Sequence, residues 1–306
     1  MSSFGIFLRG LLMGAADIVP GVSGGTVAFI TGIYDRLLGS IKAVDLAFVR
    51  RVLQGDIAGA WRHIDGGFLL ALVAGIATSV VSLARVISWL LEQYPVPLWA
   101  AFFGLILASA FVLMREIEGW NAKRVLSFSI GVVVAVYIAL SPVMNLDVGL
   151  VGIFVAGFFA ICAMILPGIS GSFILVLLGM YSSVLAALKG FDVLFIVVFA
   201  AGAGSGLLCF SRLLHWLLHQ YHQATMALLT GFLFGSLMVV WPWKRVLSWV
   251  EGRHGDLKPV QQLPVSPTQF EVYTGQDPQV LVCGLLAFSG FALVWLVDRR
   301  WGSRAA

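Results

Sequence analysis

The stretch AADIVPGVSGG at residues 15–25 returns, altered, as CAMILPGISGS at residues 162–172. Pro167 stands 147 positions after Pro20. The same offset pairs Gly10 with Gly157, Gly21 with Gly168, Ser23 with Ser170, Gly24 with Gly171, Gly32 with Gly179 and Tyr34 with Tyr181. The chain is therefore an internal duplication. What both copies keep is a helix-breaking Pro-Gly-x-Ser-Gly inside an apolar run. Broken backbone at membrane depth is tolerated only where protein wraps it or a cavity receives it. In transporters such breaks point to the binding site.

Composition agrees with a membrane setting. The 306 residues are 60% hydrophobic and 11% charged, against roughly a quarter charged in soluble domains. Charge-poor runs near 68–91, 98–114, 125–141, 193–218, 225–243 and 280–297 have about the length that crosses a bilayer. The net charge is +4, and most of the basic residues lie between these runs. That pattern reads as membrane topology and gives no nucleic-acid surface. Cys162, Cys209 and Cys283 lie in apolar segments and form no disulfide framework. The first apolar run is interrupted by Asp17 and Pro20, unlike a signal peptide.

The duplication extends beyond the motif. At an offset of 127, Gly75 meets Gly202, Arg85 meets Arg212, Trp89 meets Trp216, Tyr94 meets Tyr221 and Gly104 meets Gly231. The offset falls because the first half has a longer connection at 45–65. Repeat one covers 4–143 and repeat two 151–298, within a single transmembrane domain over 1–306. The last runs, 125–141 and 280–297, match in length and position more than in letters.

Each repeat opens with two predicted short helices around the Pro-Gly break, at 5–18 and 23–38, then at 151–165 and 170–186. At 1.5 Å per residue neither arm clearly crosses a core of ~30 Å. A re-entrant hairpin is the favoured form, and a single discontinuous helix is the alternative. Three spans follow each hairpin, and an odd number of spans inverts the second repeat relative to the first. The expected fold class is an all-α integral membrane protein with two inverted-topology repeats. The hairpin tips would meet near the membrane midplane.

Charge bias supports cytoplasmic N- and C-termini. Lys42, Arg50, Arg51, Arg62, Arg115, Lys123, Arg124, Arg299, Arg300 and Arg304 fall on one side, and the turns at 93–97 and 142–150 contain no Lys or Arg. The hydrophilic loop 244–279 is then extracytoplasmic, with Lys244 and Arg245 as a mild violation.

After each Pro-Gly, the residues Ser23, Gly24, Gly25 and Thr26, or Ser170, Gly171 and Ser172, open the second short helix. Its first N–H groups have no intrahelical partner. A serine caps one of them, and the others suit a phosphate or carboxylate. The candidate substrate-binding set is Pro20, Gly21, Ser23, Gly24, Gly25, Thr26, Pro167, Gly168, Ser170, Gly171 and Ser172. The competing reading is that the glycines only permit close helix packing. No Gly-Lys-Ser/Thr loop is present.

Arg85 and Arg212 complete that set. Each lies late in a long apolar run, where a charge costs about 2.5–3.5 kcal/mol and usually faces a cavity or a partner. Snorkelling to the interface beside Trp89 and Tyr94, or Trp216 and Tyr221, is the alternative. Asp17 has Met164 as its counterpart. It is a candidate ion-coupling site for H+ or Na+, a partner for an arginine, or an interfacial carboxylate. His215, His219 and His222 read as an interfacial cluster rather than metal ligands. No nucleophile–base arrangement, metal set or cofactor motif is evident, so no enzyme activity is expected.

The segments RGLLMGAADIVPGVSGGTVAFITGIYDRLL at 9–38 and MILPGISGSFILVLLGMY at 164–181 resemble the paired signatures of the polyprenyl-phosphate transporter family of bacteria and archaea. The resemblance covers essentially the whole chain. It implies a multi-pass protein of the cytoplasmic membrane that returns undecaprenyl phosphate to the cytoplasmic leaflet for reuse in cell-wall and surface-polysaccharide synthesis. The partners it implies are an anionic isoprenoid lipid and the bilayer. The family signature falls on Gly14, Asp17, Pro20, Gly21, Ser23, Gly24, Gly25 and Thr26, and on Pro167, Gly168, Ser170, Gly171 and Ser172. Two other functions stay open on the residues: secondary transport of a small soluble anion, and a membrane polyprenyl-pyrophosphate phosphatase.

Overall fold

A computed structural model describes residues 2–18, 23–142, 144, 146, 149–251 and 257–301. The first half contains α1 (Ser3–Ile18), α2 (Gly24–Ile30), α3 (Tyr34–Lys42), α4 (Leu46–Leu53), α5 (Ile57–His63), α6 (Gly66–Gln93), α7 (Pro95–Arg115) and α8 (Ala122–Leu140). The second half contains α9 (Leu150–Ile165), α10 (Gly171–Leu177), α11 (Tyr181–Gly190), α12 (Val193–Gln220) and α13 (His222–Ser236). The hairpin β1 (Lys244–Glu251) and β2 (Leu257–Pro264), then α14 (Pro267–Thr274) and α15 (Val280–Trp301), complete it. This is a helical multi-pass membrane protein. Among the described residues, α6, α7, α8, α12 and α15 are long and apolar enough to cross a bilayer.

The long pairs form in matching ways. α1 lies along α6, and α9 lies along α12. Glycines make both contacts possible. A Cβ on Gly75 would stand 2.2 Å from the Phe7 carbonyl oxygen, and one on Gly202 would stand 2.1 Å from that of Phe154. Small residues let membrane helices approach to backbone contact. The pairs α7–α15 and α8–α13 cross between the halves. There Gly104 meets the Ala287 carbonyl and Gly231 meets that of Phe128. Gly290 and Gly131 make the return contacts, to Ala101 and Leu228. They stand 159 positions apart, a third offset that the letters of the last helices conceal.

α6 and α12 are each 28 residues long, ~42 Å at 1.5 Å per residue. That exceeds the hydrocarbon core, a mismatch that tilt, a kink or local thickening of the bilayer accommodates. Both end in the same way. Tyr94 and Tyr221 donate their N–H groups to Leu90 and Leu217, each at 2.8 Å. Their rings pack edge-on against Trp89 and Trp216. The deepest core lies where α7 crosses α13, around Ile106, Leu113, Met226, Leu229 and Leu233, all fully buried.

Two sequence expectations change. The predicted arms at 23–38 and 170–186 are not continuous. α2 stops before Gly32 and α10 before Gly179, with φ of 68° and 69°. Ile33 N–H reaches Ala28 O and Gly32 N–H reaches Phe29 O, while Met180 reaches Leu175 and Gly179 reaches Val176. These are Schellman ends, and a left-handed glycine is what closes them. α10 and α11 consequently bend by 112°. The run at 225–243 is not one helix, because α13 ends at Ser236. The connection at 45–65 is helical, carrying α4 and α5. The hydrophilic loop carries a β-hairpin, in which β1 and β2 pair antiparallel.

That loop is anchored by its aromatics. Trp241 Nε1 donates to Val265 O, and Trp243 Nε1 donates to Pro278 O, each at 2.8 Å. Lys244 Nζ lies 3.6 Å from the Trp99 ring centroid, and the Arg245 guanidinium 4.3 Å from that of Tyr273. The two cations that offend the charge bias are thus held on aromatic faces, a contact of about 0.5–2 kcal/mol.

Candidate functional site

α9 ends at Ile165, so its last carbonyls lack intrahelical partners. The first half supplies them. Ser23 Oγ donates to Met164 O at 2.9 Å, and Tyr34 Oη donates to Ile165 O at 3.0 Å. In return Gly168 N–H donates to Thr26 Oγ1 at 3.2 Å. Residues that follow the first Pro-Gly therefore meet the end of α9 and Gly168 of the second, far apart in sequence. Ser23, Thr26, Tyr34 and Ser170 are all buried there. Gly25 must be glycine at this contact, because a Cβ would stand 2.6 Å from Ile165 O. Gly168 has φ of 85°, and its Cβ position lies 2.9 Å from Ser236 Oγ.

The meeting is asymmetric. In the first half the opening of α2 is closed by Asp17 of α1 and by Ser23 at its own N-cap. Asp17 Oδ1 accepts from Gly24 N–H at 2.7 Å, Ser23 Oγ accepts from Gly25 N–H at 3.1 Å, and Ser23 O accepts from Thr26 N–H at 2.9 Å. The sequence expects these N–H groups to face a ligand; in this conformation the Asp17 carboxylate takes that of Gly24, and Ser23 takes those of Gly25 and Thr26. In the second half Met164 replaces Asp17 and offers no acceptor. Ser170 Oγ and Ser172 Oγ bond each other at 2.8 Å. The N–H groups of Gly171, Ser172 and Phe173 have no acceptor among the described residues. Beside them lies a small pocket lined by Gly168, Ile169, Ser170, Phe173 and Ser236, with Ala135, Ile138 and Ala139 of α8 as its apolar wall.

Pro20 and Gly21 lie outside the described residues. Arg85 and Arg212 are not brought to the tips. Both are exposed, and Arg212 Nη2 donates to Val44 O at 3.0 Å, beyond the end of α3. Arg9 was not singled out from the sequence. Its Nε donates to Thr31 O at 3.2 Å, at the end of α2. The equivalent carbonyl, Leu178 O, accepts from the backbone N–H of Leu146. Tyr34 was visible as a duplicated residue, and so was Ser236, the counterpart of Ser109 at the offset of 127. Among the described residues no group of His, Cys, Asp and Glu has the form of a metal site.

A family model for undecaprenyl phosphate translocase-like proteins matches residues 13–258, which include both tips and all the contacts between them. The chain belongs to this family. A polyprenyl-phosphate transporter of Vibrio cholerae serotype O1 is 46% identical over 294 residues, covering 96% of each chain. A polyprenyl-phosphate transporter of Staphylococcus aureus is 31% identical over 255 residues, covering 77% of this chain and 85% of its own. No solved structure matches the chain. Family membership agrees with the resemblance read from the two signatures, and both relatives are transporters rather than enzymes.

Proposed function

We propose that this chain moves undecaprenyl phosphate, or a close polyprenyl phosphate, between the leaflets of the cytoplasmic membrane. The phosphate is held at the joined tips, and the isoprenoid tail stays in lipid. The observation that carries this reading is the asymmetric junction. Ser170, whose hydroxyl bonds that of Ser172, and Phe173 at the start of α10 line a pocket whose other wall is apolar α8, and the first N–H groups of α10 have no acceptor among the described residues. A polar corner beside a greasy wall suits a phosphate on a long hydrocarbon chain. Flipping leaves the lipid chemically unchanged and needs no catalytic group.

In this proposal the repeats are inverted, α1–α2 and α9–α10 are re-entrant arms, and both termini face the cytoplasm. The matching contacts of α1–α6 with α9–α12 support it, as does the crossed pairing of α7–α15 with α8–α13. The loop 244–279 lies outside. Asp17 is the candidate coupling group for H+ or Na+, because releasing Gly24 N–H would open the first tip in the same way as the second.

The test is leaflet exchange in proteoliposomes carrying labelled undecaprenyl phosphate. Exchange that falls at least tenfold in Ser170→Ala/Ser172→Ala, with the fold retained, supports the proposal. Release of inorganic phosphate points to a phosphatase. Absence of exchange with uptake of a soluble anion points to the secondary anion transporter.

A further inference from the structure

We propose that the helical hairpin α4–α5 lies in the headgroup layer of the membrane, with its apolar edge at the acyl boundary and its arginines on anionic lipid phosphates. The hairpin occurs only in the first half. In the second half α11 passes to α12 through Phe191 and Asp192, with no helices between.

At 100° per residue, Leu46, Val49, Val52 and Leu53 share one side of α4, and Ala47, Arg50 and Arg51 share the other. Leu46 is 87% exposed and Leu53 82%, and Ile57 and Trp61 of α5 continue the uncovered apolar edge. The inner side packs on α5 through Gly59 and Ala60, both buried. An apolar edge this exposed is unstable in water and stable at a lipid interface.

Charge selects the kind of lipid. Asp45 caps α4 through Phe48 N–H and also meets His63 Nε2 at 3.1 Å. The Phe48 N–H holds its carboxyl below the usual carboxylate range. Asp56 caps α5 through Gly59 N–H and pairs with Arg51 at 3.2 Å. Both acids of the hairpin are thus engaged. Lys42, Arg50 and Arg62 have no carboxylate partner among the described residues and remain exposed. Each cation near an anionic surface adds to the attraction. The hairpin is also tied to the second half, since Arg212 of α12 donates to Val44 O at its root. A lipid-held hairpin therefore sits against the long helix of the other repeat.

The experiment uses the full chain with the exposed Cys209 replaced by Ser. A single environment-sensitive fluorophore is placed at Leu53→Cys, and in a second protein at Ala47→Cys on the opposite side. Each is reconstituted in zwitterionic vesicles with and without phosphatidylglycerol. Spin-labelled lipid should quench the label at 53 several-fold more than the label at 47, and aqueous iodide should show the reverse order. Phosphatidylglycerol should deepen the label at 53, and Arg50→Gln/Arg62→Gln should remove that response. Equal iodide quenching at both positions overturns the proposal. So does emission at 53 that changes with protein density rather than lipid, which would place a second copy on this edge. None of these readouts depends on transport.

Discussion

The Ser23 hydroxyl donates to the Met164 carbonyl, 141 positions away, at 2.9 Å. The same oxygen accepts from Gly25 N–H, so one buried atom ends α9 and starts α2 together. Ser23→Ala should leave an orphan N–H and an orphan carbonyl, a loss of about 1–3 kcal/mol. Thermal unfolding in detergent should show the fall, and Tyr34→Phe should show a smaller one, about 1 kcal/mol. Ala at Ser170 should cost less stability than Ala at Ser23, because Ser170 Oγ bonds only Ser172. A larger cost at Ser170 would place the structural junction in the wrong half.

The close helix crossings make a second, sharper contrast. Gly75→Val and Gly202→Val push side-chain atoms into backbone oxygens at 2.2 and 2.1 Å. Overpacking of this kind costs about 1–3 kcal/mol or more. Gly204→Ala, two residues along on α12, meets nothing within 4 Å and should be neutral or slightly stabilising. Folded yield and melting temperature across the three variants check the packing directly. Equal behaviour at Gly202 and Gly204 would contradict it.

Gly32 and Gly179 give a third prediction. Both hold a left-handed φ at a Schellman end. Replacement by Ala should cost about 1 kcal/mol at each and straighten the arm towards a continuous helix. Reduced leaflet exchange with modest loss of stability is the expected outcome, read by exchange and melting in parallel.

These glycines also show where the sequence was legible. Their pairing at the common offset was visible, yet the break they impose was not expected, because the surrounding letters are apolar and helix-forming throughout. The Pro-Gly-x-Ser-Gly junction could be read because its polar and helix-breaking residues are rare in apolar runs. The equivalence of α8 and α15 shows in length and position but not in letters, because lipid tails accept any apolar side chain and the crossing glycines, Gly131 and Gly290, carry the constraint. The asymmetry of the tips was half-visible. Asp17 opposite Met164 stood in the letters, but that its carboxylate closes Gly24 N–H required the fold. In the sequence 45–65 reads only as a connection, since an amphipathic helix of eight residues has too few turns to declare a period.

Asp17 separates structure from coupling. Asp17→Asn keeps an acceptor for Gly24 N–H, and Asp17→Ala removes it. The Ala variant should lose about 1–2 kcal/mol, as other helix-start caps do, and the Asn variant much less. If Asp17 carries the coupled ion, the Asn variant stays folded and exchanges lipid without response to an imposed H+ or Na+ gradient. A gradient response that survives in a folded Asn variant assigns Asp17 to the structural cap alone.

The two arginines, equivalent in sequence, should now behave differently. Arg212 holds Val44 O at the root of the α4–α5 hairpin, whereas Arg85 has no hydrogen-bond partner among the described residues. An exposed guanidinium that holds a backbone carbonyl contributes about 1 kcal/mol or less to stability. Arg212→Gln should therefore loosen the hairpin, seen as faster amide exchange across 44–53. Arg85→Gln should leave stability unchanged. If Arg85 instead receives the phosphate on entry, its Gln variant raises the lipid concentration needed for half-maximal exchange while the melting temperature stays fixed. Unchanged exchange in both variants would remove the arginines from the transport path and leave the phosphate to the hydroxyls and N–H groups of the joined tips.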